Sequence, residues 1–212
     1  MKLWSNSFAD STLIPCEYAF AAIDAAQHVV LSNNRNPHLA WDDVPAGTQS
    51  FALLCYDKDV PSRGDDVNKE DREIPESLPR VDFFHWVLID IPAAQREIEA
   101  GSHSRSVTPR GKPGPEVSLA PDSMRHGIND YTGWFSGDPD MHGDYYGYDG
   151  PCPPWNDSIV HHYLFILYAL DVLRLRVEGK LSGQAVRLTM QQHILAQASL
   201  TGRYTLNPRL AK

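Results

Sequence analysis

The most regular hydrophobic pattern in the chain runs from His161 to Leu170, HHYLFILYAL. It holds no Gly or Pro, and both alternating sets of positions are apolar beyond the first residues, so it predicts a central strand buried on both faces. Alternation puts His161, Tyr163, Phe165, Leu167 and Ala169 on one face and His162, Leu164, Ile166, Tyr168 and Leu170 on the other. Two further runs predict buried strands. Ser50 to Tyr56 ends in Asp57-Lys58-Asp59-Val60-Pro61, with Phe51, Leu53, Cys55 and Asp57 on one face. Asp82 to Ile91 stops at Pro92, and simple alternation groups Phe83, His85, Val87 and Ile89. Lys2 to Phe8 alternates loosely as a short first strand, and Cys16 to Phe20 after Pro15 reads as an extended segment.

Helical spacing occurs twice. Pro92 to Ala100, with Pro at the start and Gly101 after the end, predicts a short helix. Leu181 to Ser199 carries Leu181, Ala185, Leu188, Ile194, Leu195 and Ala198 at roughly helical intervals behind a Ser182 cap, and Thr201 to Leu206 alternates as a closing strand. Ser62 to Arg80 is charged and without period, a surface loop, and Ser102 to Pro121 reads as loop. Arg125 to Gly150 is rich in Gly, Asp and aromatic residues. Its length without period marks it as a functional or oligomer-forming loop, since structureless loops beyond ~12–15 residues are uncommon. Short strands with long connections and few helices argue for an all-β architecture, a β-sandwich with peripheral helices.

Composition narrows the function classes. The 212 residues are 42% hydrophobic and 22% charged, consistent with one globular domain spanning 1–212. A net charge of −8 argues against sequence-independent nucleic-acid binding, which needs a basic face. The N-terminal stretch lacks the apolar run of a secretory signal, and nothing approaches the ~18 apolar residues of a membrane span. Three widely spaced cysteines form no disulfide framework or C-x-x-C site, so a reduced, cytoplasmic protein is expected, with no integral membrane association.

Three predicted strands end in polar groups: Asp57-x-Asp59, His85, and His161 with Tyr163 beside the loop carrying Pro151, Pro153 and Pro154. Brought together, they make a small anion site, because protonated imidazoles donate strong charge-assisted hydrogen bonds. Asp57 then accepts from one imidazole nitrogen and holds it charged, leaving the other nitrogen for the ligand. Taken singly, each group also has a structural reading: Asp57 and Asp59 as turn formers, His85 as a satisfied strand-end histidine, Trp86 and Tyr168 as core, and Cys152 as a buried filler.

These residues resemble the phosphatidylethanolamine-binding protein family, which includes the Raf kinase inhibitor protein, and are most similar to its small bacterial members. The stretches that carry the likeness are Asp57-Lys58-Asp59-Val60-Pro61, His85-Trp86, and Gly147-Tyr148-x-Gly150-Pro151-Cys152-Pro153-Pro154 followed by His161-x-Tyr163. Asn36-Pro37-His38-Leu39-Ala40-Trp41 and the final Leu200-Thr201-Gly202-x-Tyr204 extend it over nearly the whole chain. The resemblance implies a sandwich of a large and a small antiparallel sheet. It also implies a pocket for phosphate-like anions built from Asp57, Asp59, His85, Pro153, His161 and Tyr163. Lys58 stands where the family usually has Pro, and the loops at Ser62 to Arg80 and Asn129 to Asp149 are longer than in typical bacterial members.

The leading expectation is therefore a binding protein, not an enzyme, that takes a phosphate-like or phosphorylated small-molecule ligand or a phosphorylated partner segment. No cofactor and no metal are expected. Two alternatives stay open: a kinase- or protease-inhibitor-like protein acting through its surface loops, with a protein partner or a homodimer, and a metal-dependent phosphoester hydrolase. No H-E-x-x-H, G-x-S-x-G or P-loop supports the last.

Overall fold

The computed structural model describes residues 1–117 and 123–211. The strands are β1 (Lys2–Trp4), β2 (Thr12–Leu13), β3 (Ala21–Asp24), β4 (His28–Leu31), β5 (Leu39–Asp42), β6 (Ser50–Pro61), β7 (Arg80–Pro92), β8 (Glu97–Ile98), β9 (Arg125–His126), β10 (His161–Leu170) and β11 (Ile194–Tyr204). Helices α1 (Tyr131–Trp134) and α2 (Gly183–Met190) are short. A six-stranded sheet has the order β2-β11-β10-β6-β7-β9, a three-stranded sheet the order β1-β5-β8, and β3 and β4 form a hairpin. This is the mainly β architecture of a large and a smaller sheet with peripheral helices.

Because β6, β7 and β10 are apolar on both faces, the large sheet separates two cores. Phe51, Leu53, Cys55, Phe165, Leu167 and Ala169 share one cluster with Leu39, Trp41 and Ile98 of the small sheet. Ala52, Leu54, Ile166, Tyr168 and Leu170 face the other way, under Val186 and Met190 of α2. Both alternating sets expected for β10 are thus found on their expected faces, and Trp86 and Tyr168 are core residues.

Simple alternation fails in β7. The register against β6 shifts between Cys55 and Tyr56, pairing Cys55 with Trp86 and Tyr56 with Phe84, so His85 is the extra residue of a bulge. Trp86 and Leu88 consequently lie in the core that contains Phe51, whereas Val87 and Ile89 lie in the α2 core, contrary to the grouping of His85 with Val87 and Ile89.

Both expected helices change. Glu97–Ile98 is a strand paired with Leu39 and Ala40, and Ile98 is buried, so no helix spans Pro92 to Ala100. The pairing gives the segment's one large apolar side chain a core position, which outweighs local helix signals. After Ser182, whose hydroxyl accepts from the Ala185 amide, α2 stops at Met190. Ile194 to Ser199 then forms the first half of β11, pairing Ala196 with Ala169 and Ala198 with Leu167. The first strand ends at Trp4, and Cys16–Tyr18 is a single 3₁₀ turn instead of an extended segment. Residues 118–121 of the expected Ser102 to Pro121 loop lie outside the described residues. Among the described residues no helix is long and apolar enough to cross a membrane.

Much of the aromatic loop packs inward. Tyr131, Tyr145 and Tyr148 are buried, donating their hydroxyls to the carbonyls of Gly150, Met141 and Tyr18 respectively. Trp134 is the large exposed ring.

Candidate functional site

Register brings the polar strand ends together: Tyr163 of β10 pairs with Asp57 of β6, which pairs with Phe83 of β7. The bulge then aims His85 toward the same point, where its ring meets Tyr163 edge-on at 5.1 Å between centroids. The result is a cavity of about 170 Å³ lined by Asp57, His85, Pro153, His161 and Tyr163. Its lining is otherwise mainly apolar and includes Phe20, Phe83, Tyr131, Phe135, Val60, Pro61 and Val67.

Asp59 is the one expected residue that does not line the cavity. Its Oδ2 accepts from the backbone amide and Nδ1 of His162, at 2.8 and 2.7 Å. Asp57 instead spends Oδ1 on the Asp59 amide, at 2.8 Å, and Oδ2 on His161.

The floor is a chain of alternating charge. His161 is fully buried between two carboxylates, with Nδ1 2.7 Å from Asp57 Oδ2 and Nε2 3.1 Å from Asp157 Oδ2. Asp157 in turn receives Arg80 Nη1 at 2.6 Å and Nη2 at 3.1 Å. Burial works against the imidazolium, but Asp57 and Asp157 outweigh it and raise the His161 pKa to about 9. Burial likewise opposes the Asp157 carboxylate, and its bonds to His161 and Arg80 still bring its pKa below the usual value. Both His161 nitrogens are therefore committed. The expectation that one of them faces the ligand is corrected: Asp157, four residues upstream, occupies it.

His85 behaves oppositely. Burial lowers its pKa, more than Asp57 and the Asp149 region raise it. Its Nδ1 lies 2.7 Å from the Asp149 carbonyl oxygen, which assigns the proton to Nδ1 and leaves Nε2 with a lone pair. Tyr163 supplies the matching donor. Burial, then Asp57, push its pKa well above that of a free phenol, and the hydroxyl is buried beside Asp57 without a hydrogen bond of normal geometry. Buried polar atoms in folded proteins are almost always paired, so a cavity hydroxyl that reaches Asp57 only with poor geometry is open to a ligand or water. Cys152 also lines the cavity, but burial pushes its thiol to about 12.

The comparison with known proteins now has a geometry to meet. The family model described as phosphatidylethanolamine-binding protein matches residues 4–205. The chain belongs to the phosphatidylethanolamine-binding protein family. It is 31% identical over 205 residues to the UPF0098 protein YbhB of Escherichia coli, covering 97% of this chain and 100% of that one. It is 32% identical over 204 residues to a UPF0098 protein of Aquifex aeolicus, covering 96% and 88%. The crystal structure of Escherichia coli YbcL, described as a new member of the mammalian family, has the same fold, with a TM-score of 0.67 at 24% identity over 96% of this chain and 97% of that one.

In this member of the family the residues that sequence reading missed are those that hold the site. Asp149 is fully buried and accepts from Asn34 Nδ2 at 2.7 Å, Asn129 Nδ2 at 2.8 Å and Lys112 Nζ at 2.8 Å. Its own amide donates to the His85 carbonyl at 3.0 Å, so the hub fixes His85 from both backbone and side chain. Gly150 beside it cannot be larger, since a Cβ there falls 2.2 Å from the Tyr18 carbonyl oxygen. Asp149 stands at the unspecified position of the Gly-Pro segment of the family likeness, and Asn156 and Asp157 lie just beyond it, so no motif singled them out. Their partners lie as far away as 115 residues, which no local pattern encodes.

Proposed function

We propose that the protein is a small-ligand binding module whose cavity captures a phosphate-like or phosphorylated head group, free or on a partner segment, without chemical turnover. The observation that carries this reading is the Tyr163 hydroxyl, which has Asp57 beside it but no hydrogen bond of good geometry, next to the His85 ring in a mainly apolar cavity. Those two groups offer one donor and one acceptor. A head group with both an ionised oxygen and a P–OH satisfies them, and so does a dianion when His85 takes up a proton. Capture without turnover fits the commitments of the other groups: His161 has no free nitrogen to act as base, and the Cys152 thiol stays protonated. Action through surface loops has less support, because Tyr131, Tyr145 and Tyr148 are turned inward. We place the protein in the cytoplasm, in keeping with three free cysteines.

Tyr163→Phe separates binding from stability. Calorimetric titration of phosphoethanolamine and inorganic phosphate should show affinity down at least tenfold. Urea unfolding should show stability unchanged or raised by about 1 kcal/mol, since a buried hydroxyl without a hydrogen bond of good geometry costs stability. A variant that binds like the wild type overturns the assignment.

The proton inventory gives a second test. Above neutral pH the free His85 is neutral and a phosphate monoester, with its second pKa near ~6, is a dianion. The complex holds one proton more than its free components, so affinity should fall about tenfold per pH unit above neutrality. An affinity unchanged from about pH 5.5 to 8.5 rules out a shared proton at His85.

A further inference from the structure

The Ser62–Pro79 segment has the composition of a solvated surface loop, yet Gly64, Val67 and Asn68 form one wall of the cavity. From Ser62 to Glu73 Val67 is the single apolar side chain, and it is half-buried against the cavity while its charged neighbours turn outward. A charged loop that presents its one apolar group to a pocket is placed there by something outside itself.

That something is Asn156, buried directly after the Pro-Pro-Trp turn. Its Nδ2 donates to the carbonyls of Asp66 at 2.8 Å, Lys69 at 3.2 Å and Arg72 at 2.9 Å. Its Oδ1 accepts from the Asn68 amide at 2.9 Å, and its backbone carbonyl accepts from Ile74 at 3.1 Å. One carboxamide thus replaces the internal ladder that the loop lacks. Two contacts tighten the arrangement from outside: the Trp155 amide donates to Asn68 Oδ1, and His28 stacks on Trp155 at 3.9 Å while reaching Glu70. The next residue, Asp157, holds Arg80, which donates to the carbonyls of Pro75 and Leu78 at the far end of the loop. Consecutive residues therefore pin the wall at its tip and at its base, and the second of them also pins His161.

We propose that Asn156 is a specificity-determining positioning residue, and that the wall it holds selects a head group carrying a short apolar substituent over the bare anion. The inference rests on the binding reading above and adds the ligand class. Phe20 and Phe135 line the same cavity as Val67, so a substituent leaving the polar groups meets apolar lining. Each methylene buried there strengthens binding about fourfold.

The test is a titration of inorganic phosphate, n-butyl phosphate and n-butanol into wild type, Asn156→Ala, Val67→Ala and Val67→Phe. The wild type should bind butyl phosphate at least tenfold more tightly than phosphate, and each variant should reduce that ratio at least threefold. The ratio reports the wall alone, since a general loss of structure weakens both ligands together. A wild-type ratio near one, or a ratio indifferent to all three substitutions, overturns the proposal. If Asn156→Ala does not fold, the two Val67 variants decide. If neither phosphate binds the wild type, the anion reading falls. Butanol binding that weakens in Val67→Phe then preserves the wall, and no butanol binding overturns it as well.

Discussion

Replacing Asp149 by alanine lowers the stability of the protein by about 3–5 kcal/mol, the cost of leaving a buried charge and its donors without their partner. Lys112 is the reason for the size of the effect. Its side chain is 10% exposed, burial already lowers its pKa against the pull of Asp149, and Asp149 is its one ion-pair partner among the described residues. The substitution also strips the Asn34 and Asn129 carboxamides of an acceptor in a region with no access to water. Urea unfolding followed by tryptophan fluorescence measures the loss. The double variant Asp149→Ala with Lys112→Met should recover part of it, because removing both charges leaves no unpaired ion. A loss below about 1 kcal/mol in the single variant shows that the hub does not hold the fold. An Asp149→Ala protein that still folds keeps both main-chain bonds to His85, since the residue's amide and carbonyl make them, so its binding should weaken only as far as the loss of the side-chain hub shifts that backbone.

The second large effect concerns His161 and pH. Its folded pKa is raised from 6.5 to about 9, so the imidazolium favours the folded state. That contribution is fully present below the unfolded value of about 6.5 and is lost as pH rises through about 9. A shift of this size corresponds to about 3 kcal/mol between the two limits, an order-of-magnitude figure. The lost proton would leave Asp57 and Asp157 facing a neutral ring in a buried site, with Arg80 compensating one of them. The measurement is the stability difference between the wild type and His161→Gln at intervals from pH 6 to 10, which cancels groups that titrate alike in both. The difference should shrink as pH rises through about 9. A flat difference across that range shows that His161 is not charged in the folded protein. At pH 7 His161→Ala should itself cost about 3–5 kcal/mol, by the same logic of an ion pair broken on one side.

Three features were legible before any tertiary structure: the mainly β class, the central strand His161 to Leu170 with its two buried faces, and the convergence of Asp57, His85, His161, Tyr163 and Pro153. Each follows from side-chain alternation along a strand together with the family likeness, and alternation depends only on neighbouring residues. Where the rule broke, a long-range term had intervened. A bulge against β6 turned His85 and Trp86 to the same face, pairing with β5 drew Glu97–Ile98 out of a helix, and pairing with β10 drew Ile194 to Ser199 into a strand.

The chemistry of the cavity was decided by tertiary structure alone. Residue types at strand ends indicate that imidazoles and carboxylates meet. They do not indicate that Asp157 and Asp57 close on both nitrogens of His161, that Asp149 fixes the tautomer of His85, or that Asn156 folds a charged loop into a wall. Protonation states depend on burial and on charges a few ångströms away, and those neighbours come from segments separated by as many as 104 residues between Asp57 and His161. The sequence determined which groups are available at the site; the three-dimensional arrangement determined which of them still have a free hydrogen bond to give, because a donor or acceptor can be counted as free only after every buried partner is known.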